Sequence, residues 1–327
     1  PKNITEIGDY AFVWCSKINS INIPASTKKI GNYAFAWCGS LTNITVSSEN
    51  ANFSAENGIL FNKDKTTLAL YPNGKKENLY VIPKSVKTIA QGAFFASYVK
   101  GIDFSNVESI QKDAFFGCES LSDIAFSNTL SEIGSTAFYG CTAITKLDLP
   151  KSVTSIGESA FKNCSNLSSI SLPGGISQIG DGAFANCNSL IADVYPGSYS
   201  ELYVGNNNVK FQVVADVFLN NAQIVFDQKP VIINNRTLVP IRKICEALDL
   251  TVDWDETSQT AIITKGSTSI KIQINSTTVY KDNKSVTIDV PAQLIGNRTL
   301  VPVRAVSELF NITVEWDSEN SRVMLQK

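Results

Sequence analysis

The sequence predicts an α+β protein in two parts. A solenoid of short stacked units, with a parallel sheet on one face, occupies residues 1–214, and a small domain of two duplicated strand-helix-strand units occupies 216–327. Three observations predict this. The pair Ala-Phe recurs from Ala11-Phe12 to Ala183-Phe184 at steps of 23, 59, 21, 23, 23 and 23 residues. The hexapeptide from Asn235 to Pro240 (Asn-Arg-Thr-Leu-Val-Pro) returns 62 residues later, from Asn297 to Pro302. All five Arg lie after residue 214, so the composition changes where the pattern does.

In the first part, Cys15, Cys38, Cys118, Cys141, Cys164 and Cys187 each stand three places after the Phe, with Ser97 in that slot once. A full unit, Cys141 to Asn163, reads CTAITKLDLPKSVTSIGESAFKN. A unit of 23 residues is too short to bury its own apolar face, so the units must stack. Segments such as Leu147-Asp148-Leu149 alternate like strands, and Pro150 ends this one. Gly in Ile30-Gly31, Ile133-Gly134, Ile156-Gly157 and Ile179-Gly180 suits a turn needing permissive backbone angles. The step of 59 is one unit plus 36 residues, an insertion at about 47–82. There the runs around Ile59-Leu60-Phe61 and Leu68-Ala69-Leu70 flank Asn62 to Lys65 and read as a projecting hairpin. After Cys187 the pattern decays, and about 188–214 reads as a terminal cap. Pro1 starts inside a unit and the only Met is Met324, so a fragment or processed chain, its solenoid continuing upstream, is expected.

In the second part, each Pro opens an amphipathic helix. Ile241, Ile244, Cys245 and Leu248 match Val303, Val306, Ser307 and Phe310 at i, i+3, i+4 and i+7. Strand-like runs such as Thr251–Trp254 follow, and Trp254-Asp255 returns as Trp316-Asp317. Arg236 and Arg298 are expected to pair with carboxylates such as Asp255 and Asp317, or with backbone carbonyls; a phosphate or carboxylate ligand is the alternative.

On these residues, the first part resembles the BspA-like leucine-rich repeat family of bacterial surface proteins. Residues 216–327 resemble the copper amine oxidase N-terminal domain family, or stalk domain. The first resemblance implies a right-handed solenoid. The second implies an α+β module of antiparallel strands around helices, common in secreted proteins of Gram-positive bacteria. In the oxidases this module carries neither the copper nor the quinone, and copper there takes three His, whereas this chain has none. Together the resemblances imply a non-enzymatic extracellular surface protein, acting in adhesion or recognition of a host protein or glycan through the solenoid. The alternative is a wall-associated spacer or anchor, acting on a cell-wall polymer through the stalk domain. No cofactor is expected, and a monomer is.

Composition agrees. With 28 Lys+Arg against 30 Asp+Glu, the net charge of −2 argues against a nucleic-acid partner. No run of about 18 apolar residues is present to span a membrane. The absence of His removes the commonest general base and the Ser-His and Cys-His pairs. An enzyme would have to run on carboxylates, Lys, Tyr or Cys, and no nucleophile-base pattern is visible.

Three groups of residues are candidates for a site. The six repeat cysteines would lie one coil apart, about 4.8 Å, as a ladder of buried thiols; disulfides or a metal are the alternatives. On the sheet face, Ser20, Asn22, Asn43, Thr45, Ala125, Ser169 and Ser171 should point outward with Asp103, Asp123, Lys146 and Asp148. That face reads as solvated, with a cation site around the three Asp as the alternative. The Phe of every Ala-Phe pair should be core. Beside it, Phe95, Phe116 and Tyr139 form one aromatic column, and Trp14 and Trp37 another, for which core packing and an exposed recognition strip both stand.

Overall fold

Two short strands build each coil of the N-terminal unit. One precedes the Pro, as in Lys146–Asp148 and Ser169–Ser171; the other ends at the Ile before Gly, as in Glu132–Ile133 and Ser155–Ile156. Both pair in parallel with their equivalents in the next coil, Leu147 beside Ile170 and Ile133 beside Ile156. The parallel sheet is therefore not confined to one face. A second ladder runs from Thr67–Leu70 through Thr88–Ile89 to Gln178–Ile179, where the sequence suggests only a turn. A two-residue strand carries too little periodicity to be read. The computed structural model describes residues 3–327, so Pro1 lies outside them. The chain divides after Phe211, a few residues before the change in composition, into two compact units.

The glycines after Ile serve a different purpose from the one expected. Gly134, Gly157 and Gly180 are not in the left-handed region. A Cβ on Gly157 would lie 2.3 Å from the Ser135 nitrogen of the preceding coil, and one on Gly180 would lie 2.3 Å from the Glu158 nitrogen. They are required because neighbouring backbone occupies the space of a side chain.

Inside, Phe94, Phe115, Phe138, Phe161 and Phe184 stack with centroids 4.6–5.7 Å apart. Phe12 departs from the expected core: in the first coil, with Phe35 stacked on one side only, it is 36% exposed. All seven cysteines are free thiols. Five repeat cysteines are buried and Cys15 is half-buried. Each buried one donates through Sγ to the Phe carbonyl of the preceding coil, as Cys118 does to Phe94 (3.0 Å) and Cys164 to Phe138 (3.1 Å). Burial pushes the thiols of Cys118 and Cys164 up to about 12 and that of Cys187 to about 11.

The insertion does not project. Phe53–Glu56, Ile59–Asn62 and Thr67–Leu70 pair antiparallel, and the last joins the parallel ladder with Leu68 beside Ile89. Ile59, Leu60, Phe61 and Leu68 are at most 1% exposed, because apolar strands of this kind find a sheet edge to cover. Tyr71 then takes the column position of a Phe, stacking on Phe94 at 4.7 Å. The insertion thus contains a degenerate coil of its own. Across it, the Tyr33 hydroxyl donates to the buried Asp113 carboxylate and accepts from Gln91 (2.7 Å). At the far end, α1 (Tyr199–Asn206), capped by Ser198, lays Tyr203 edge-on against Phe184. The Tyr203 hydroxyl donates to the Gly180 carbonyl (3.0 Å).

The C-terminal unit is a duplication folded around one core, to which the equivalent residues Val217 and Val279, Val239 and Val301, and Ile244 and Val306 all belong. Arg236–Pro240 and Arg298–Pro302 pair antiparallel with Val239 opposite Val301, residues that are equivalent in the two copies. A pseudo-two-fold axis therefore passes between them. Helices α2 (Ile241–Ala247) and α3 (Val303–Leu309) follow at once. The hairpin turns Asn220-Asn221 and Asp282-Asn283 have positive φ throughout, as type I′ turns require. Both Arg pair with carboxylates of their own domain and with a backbone carbonyl, that of Asn235 or Asn297, as expected, but the carboxylates are not Asp255 and Asp317. Arg236 bonds Asp289 through Nε (2.8 Å) and Arg298 bonds Asp227 (2.9 Å), each reaching into the other copy. Asp255 instead holds its own hairpin through Ser258, and Asp317 pairs with Arg322. Strand exchange about the axis brings the distant carboxylates closer than the local ones.

The α+β label does not hold: helix is 7% of the chain, which is mostly β. Among the described residues, no helix is long and apolar enough to cross a membrane.

Two outcomes follow from this packing. Native protein should label with a thiol reagent at Cys15 well before any other cysteine, and raising the pH to about 9.5 should not bring the buried ladder into reaction. Unfolded thiols ionise near the ordinary 9.0 whereas the folded Cys118 resists to about 12, so stability should fall as pH rises across that window. Fast native labelling of Cys141 or Cys164 by mass spectrometry would contradict the ladder. Separately, Gly157→Ala should cost about 1–3 kcal/mol by forcing two backbones apart, measured by urea denaturation.

Candidate functional site

Each coil turns twice through the left-handed region, once just before Ala-Phe and once two residues after its Phe. The second position is Trp14, Trp37, Ala96, Gly117, Gly140, Asn163 and Asn186, with φ between 52° and 70°. Gly and Asn tolerate this conformation; for Trp it is strained. The early coils thus place indoles where the later ones place residues suited to the backbone.

These turns deliver the expected aromatic columns to the surface. Trp14 stacks on Trp37 at 4.7 Å with rings 2° from parallel. Phe95 stacks on Phe116 at 4.9 Å, and Phe116 on Tyr139 at 4.6 Å. The structure joins the two columns: Trp37 meets Phe95 edge to face at 4.7 Å, and Tyr33 meets it at 5.4 Å. The sequence hides this junction, because the insertion separates the partners and they occupy different repeat positions. The strip ends where Asn163 donates to the Tyr139 hydroxyl (2.7 Å) and Asn186 to Asn163.

Trp14 is 66% exposed, while Trp37, Phe95, Phe116 and Tyr139 are half-buried. A groove of about 400 Å³ runs along the strip. Among its lining residues outside the expected set are Tyr98, which is 49% exposed, and Glu119. Lys76 Nζ lies 5.4 Å from the Tyr98 ring centre.

The sheet face is a different surface. Asp123, Lys146 and Asp148 are exposed, and Asp103 is half-buried. Lys146 pairs with Asp148 at 3.0 Å, and Asp103 accepts the Ser105 amide at 2.8 Å. Ser171, expected outward, is buried between Asp148 and Asp193 of the adjacent strands. Asp103 and Asp148 are engaged locally; among the described residues no three His, Cys, Asp or Glu gather to hold a metal ion.

Residues 1–66 and 87–205 match, in six copies, the family described as BspA type Leucine rich repeat region. The chain belongs to this leucine-rich repeat family. Residues 218–325 match the Copper amine oxidase N-terminal domain. A leucine rich cell surface protein from Faecalibacterium prausnitzii is 31% identical, with a TM-score of 0.56 over 64% of this chain and 55% of that one. A leucine-rich repeat protein from Eubacterium ventriosum is 32% identical, with a TM-score of 0.53 over 59% and 52%. The pneumococcal vaccine antigen PcpA shares the repeat fold at 23% identity, with a TM-score of 0.55 over 64% and 60%. The chain thus spans little more than half the length of these structures. No curated protein matches it.

Within this leucine-rich repeat, strain at the strip is testable at Ala96, whose φ of 52° falls in the column that continues as Gly117 and Gly140. Ala96→Gly should raise stability by about 0.5–1 kcal/mol, read from the urea midpoint. A loss of stability would show that the methyl packs better than the backbone is strained.

Proposed function

We propose that this chain is a non-enzymatic, extracellular surface protein that recognises a host protein through the aromatic groove of its solenoid. The observation that carries the reading is the continuous strip from Trp14 to Tyr139, held half-exposed or exposed, with Trp14 and Trp37 on strained left-handed backbone. Backbone strain and exposed aromatics together are a pattern expected of a binding surface rather than of packing alone. The surface location draws support from the Faecalibacterium protein, described as a cell surface protein.

Ring geometry favours protein over glycan. A sugar lies on a free ring face, but along most of the strip faces are taken by neighbouring rings, Phe116 between Phe95 and Tyr139 and Trp37 against Trp14, leaving mainly edges except at Trp14, which stacks on one side only. Edges form an apolar ridge against which a partner's aliphatic or aromatic side chains pack.

The test is binding of the whole chain to purified fibronectin, collagen, laminin and fibrinogen by surface plasmon resonance. Trp37→Ala and Phe116→Ala should each weaken binding about tenfold per folded molecule, as hot-spot aromatics do, and Asp123→Asn should not. Loss of binding in Asp123→Asn with the strip variants unaffected would move the site to the sheet face.

A further inference from the structure

The C-terminal unit carries an exposed surface of another kind. A groove of about 990 Å³ opens beside α2, at the upper end of the size range for small-ligand sites. Three of its walls are large apolar side chains left in solvent: Val225 is 74% exposed, Leu294 62% and Trp254 41%. Unlike the stacked strip from Trp14 to Tyr139, Trp254 stacks on no other ring among the described residues, so no aromatic neighbour takes up its faces.

The charges lining the groove balance. Arg242, Lys243 and Arg298 stand against Asp227, Glu246 and Asp253. Arg298 is bonded to Asp227 at 2.8 Å and Lys243 to Glu246 at 3.5 Å. Among the described residues Arg242 has no side-chain partner, leaving one guanidinium free at the groove, whereas Asp253, next to Trp254 on the same strand, points to the opposite face of the sheet. A groove with apolar walls, balanced charge and an unspent guanidinium donor complements an uncharged polyhydroxylated ligand. An acidic polymer would meet as many anions as cations.

We propose that this groove binds a neutral glycan, with a pyranose ring on the Trp254 indole and its hydroxyl groups bonded to Arg242. The duplication sharpens the assignment. Trp316 stands at the equivalent position with 43% exposure, and Arg304 and Glu315 match Arg242 and Asp253. There, however, Arg304 is paired with Glu308 at 3.5 Å, and Thr287 and Ile232 replace Val225 and Leu294. The second copy keeps the indole and one apolar wall, Ile232, and loses the other wall and the free guanidinium. It is the weaker site. The proposal does not rest on the solenoid groove.

The experiment is affinity electrophoresis of the whole chain in gels containing laminarin, mannan, hydroxyethyl cellulose or glycol chitin, with polygalacturonate as the acidic comparison. At least one neutral polysaccharide should retard the protein. Isothermal titration with that polysaccharide should give an affinity unchanged by about 0.5 M NaCl, because no charge is neutralised on binding. Trp254→Ala should weaken that affinity about tenfold, and Trp316→Ala about threefold or less. Arg242→Ala, at an exposed helix position, should weaken it without removing the ring, so a poorly folded Trp254→Ala would not decide the matter. Trp37→Ala should bind as wild type, which separates this site from the solenoid groove. Retardation by none of the neutral polymers, by polygalacturonate alone, or equally in wild type and both Trp254→Ala and Arg242→Ala, would overturn the proposal.

Discussion

The buried carbonyl of each column phenylalanine is the group on which the solenoid depends. It lies in the core, where an acceptor without partners is costly. Its own coil supplies one donor, the amide three residues on, as Cys141 does for Phe138 (3.2 Å). The next coil supplies the second through a thiol, as Cys164 does for the same carbonyl (3.1 Å). Cysteine suits the slot because it is small and apolar enough to repeat at every coil yet still donates weakly. Ser97, in that slot, stays within the network beside Cys118 Sγ at 3.6 Å. The cysteines are thus explained by packing and hydrogen bonding, without oxidation or metal chemistry.

Holding coils this close has consequences on the surface. The glycines after Ile exist because the neighbouring backbone leaves no room for a Cβ, and the outer aromatics must stack because their Cα atoms follow the same repeat. Stacking hides ring faces and leaves edges. That separates the solenoid strip, a ridge of ring edges, from Trp254, whose indole stands apart from other rings. Similar residues in the two units therefore present different chemistry to a partner.

In the C-terminal unit, symmetry does the organising. The axis at Val239 and Val301 makes the central strand pair self-complementary, and it exchanges the ion pairs so that each copy holds a carboxylate for the other's arginine. Because both copies contribute to one core, the duplicated halves are cooperative parts of a single fold. The free Arg242 and the bonded Arg304 show how far they have diverged around that shared frame.

The repeat period, the buried Phe and Cys columns and the 62-residue duplication could all be read from the sequence, because each is a spacing that recurs along the chain. The column Phe95, Phe116 and Tyr139 was visible for the same reason, as was the Trp254–Trp316 pair, though the latter read only as a mark of duplication. What the tertiary structure decided are relations between residues with no common spacing. Trp37 meets Phe95 only because the insertion folds into the ladder as a coil instead of projecting. The second ladder was invisible because two-residue strands carry no period, and the reason for the Ile-Gly glycines lay in a neighbouring coil. Arg236 finds Asp289, and not Asp255, because strand pairing about an axis sets distances that chain position does not record.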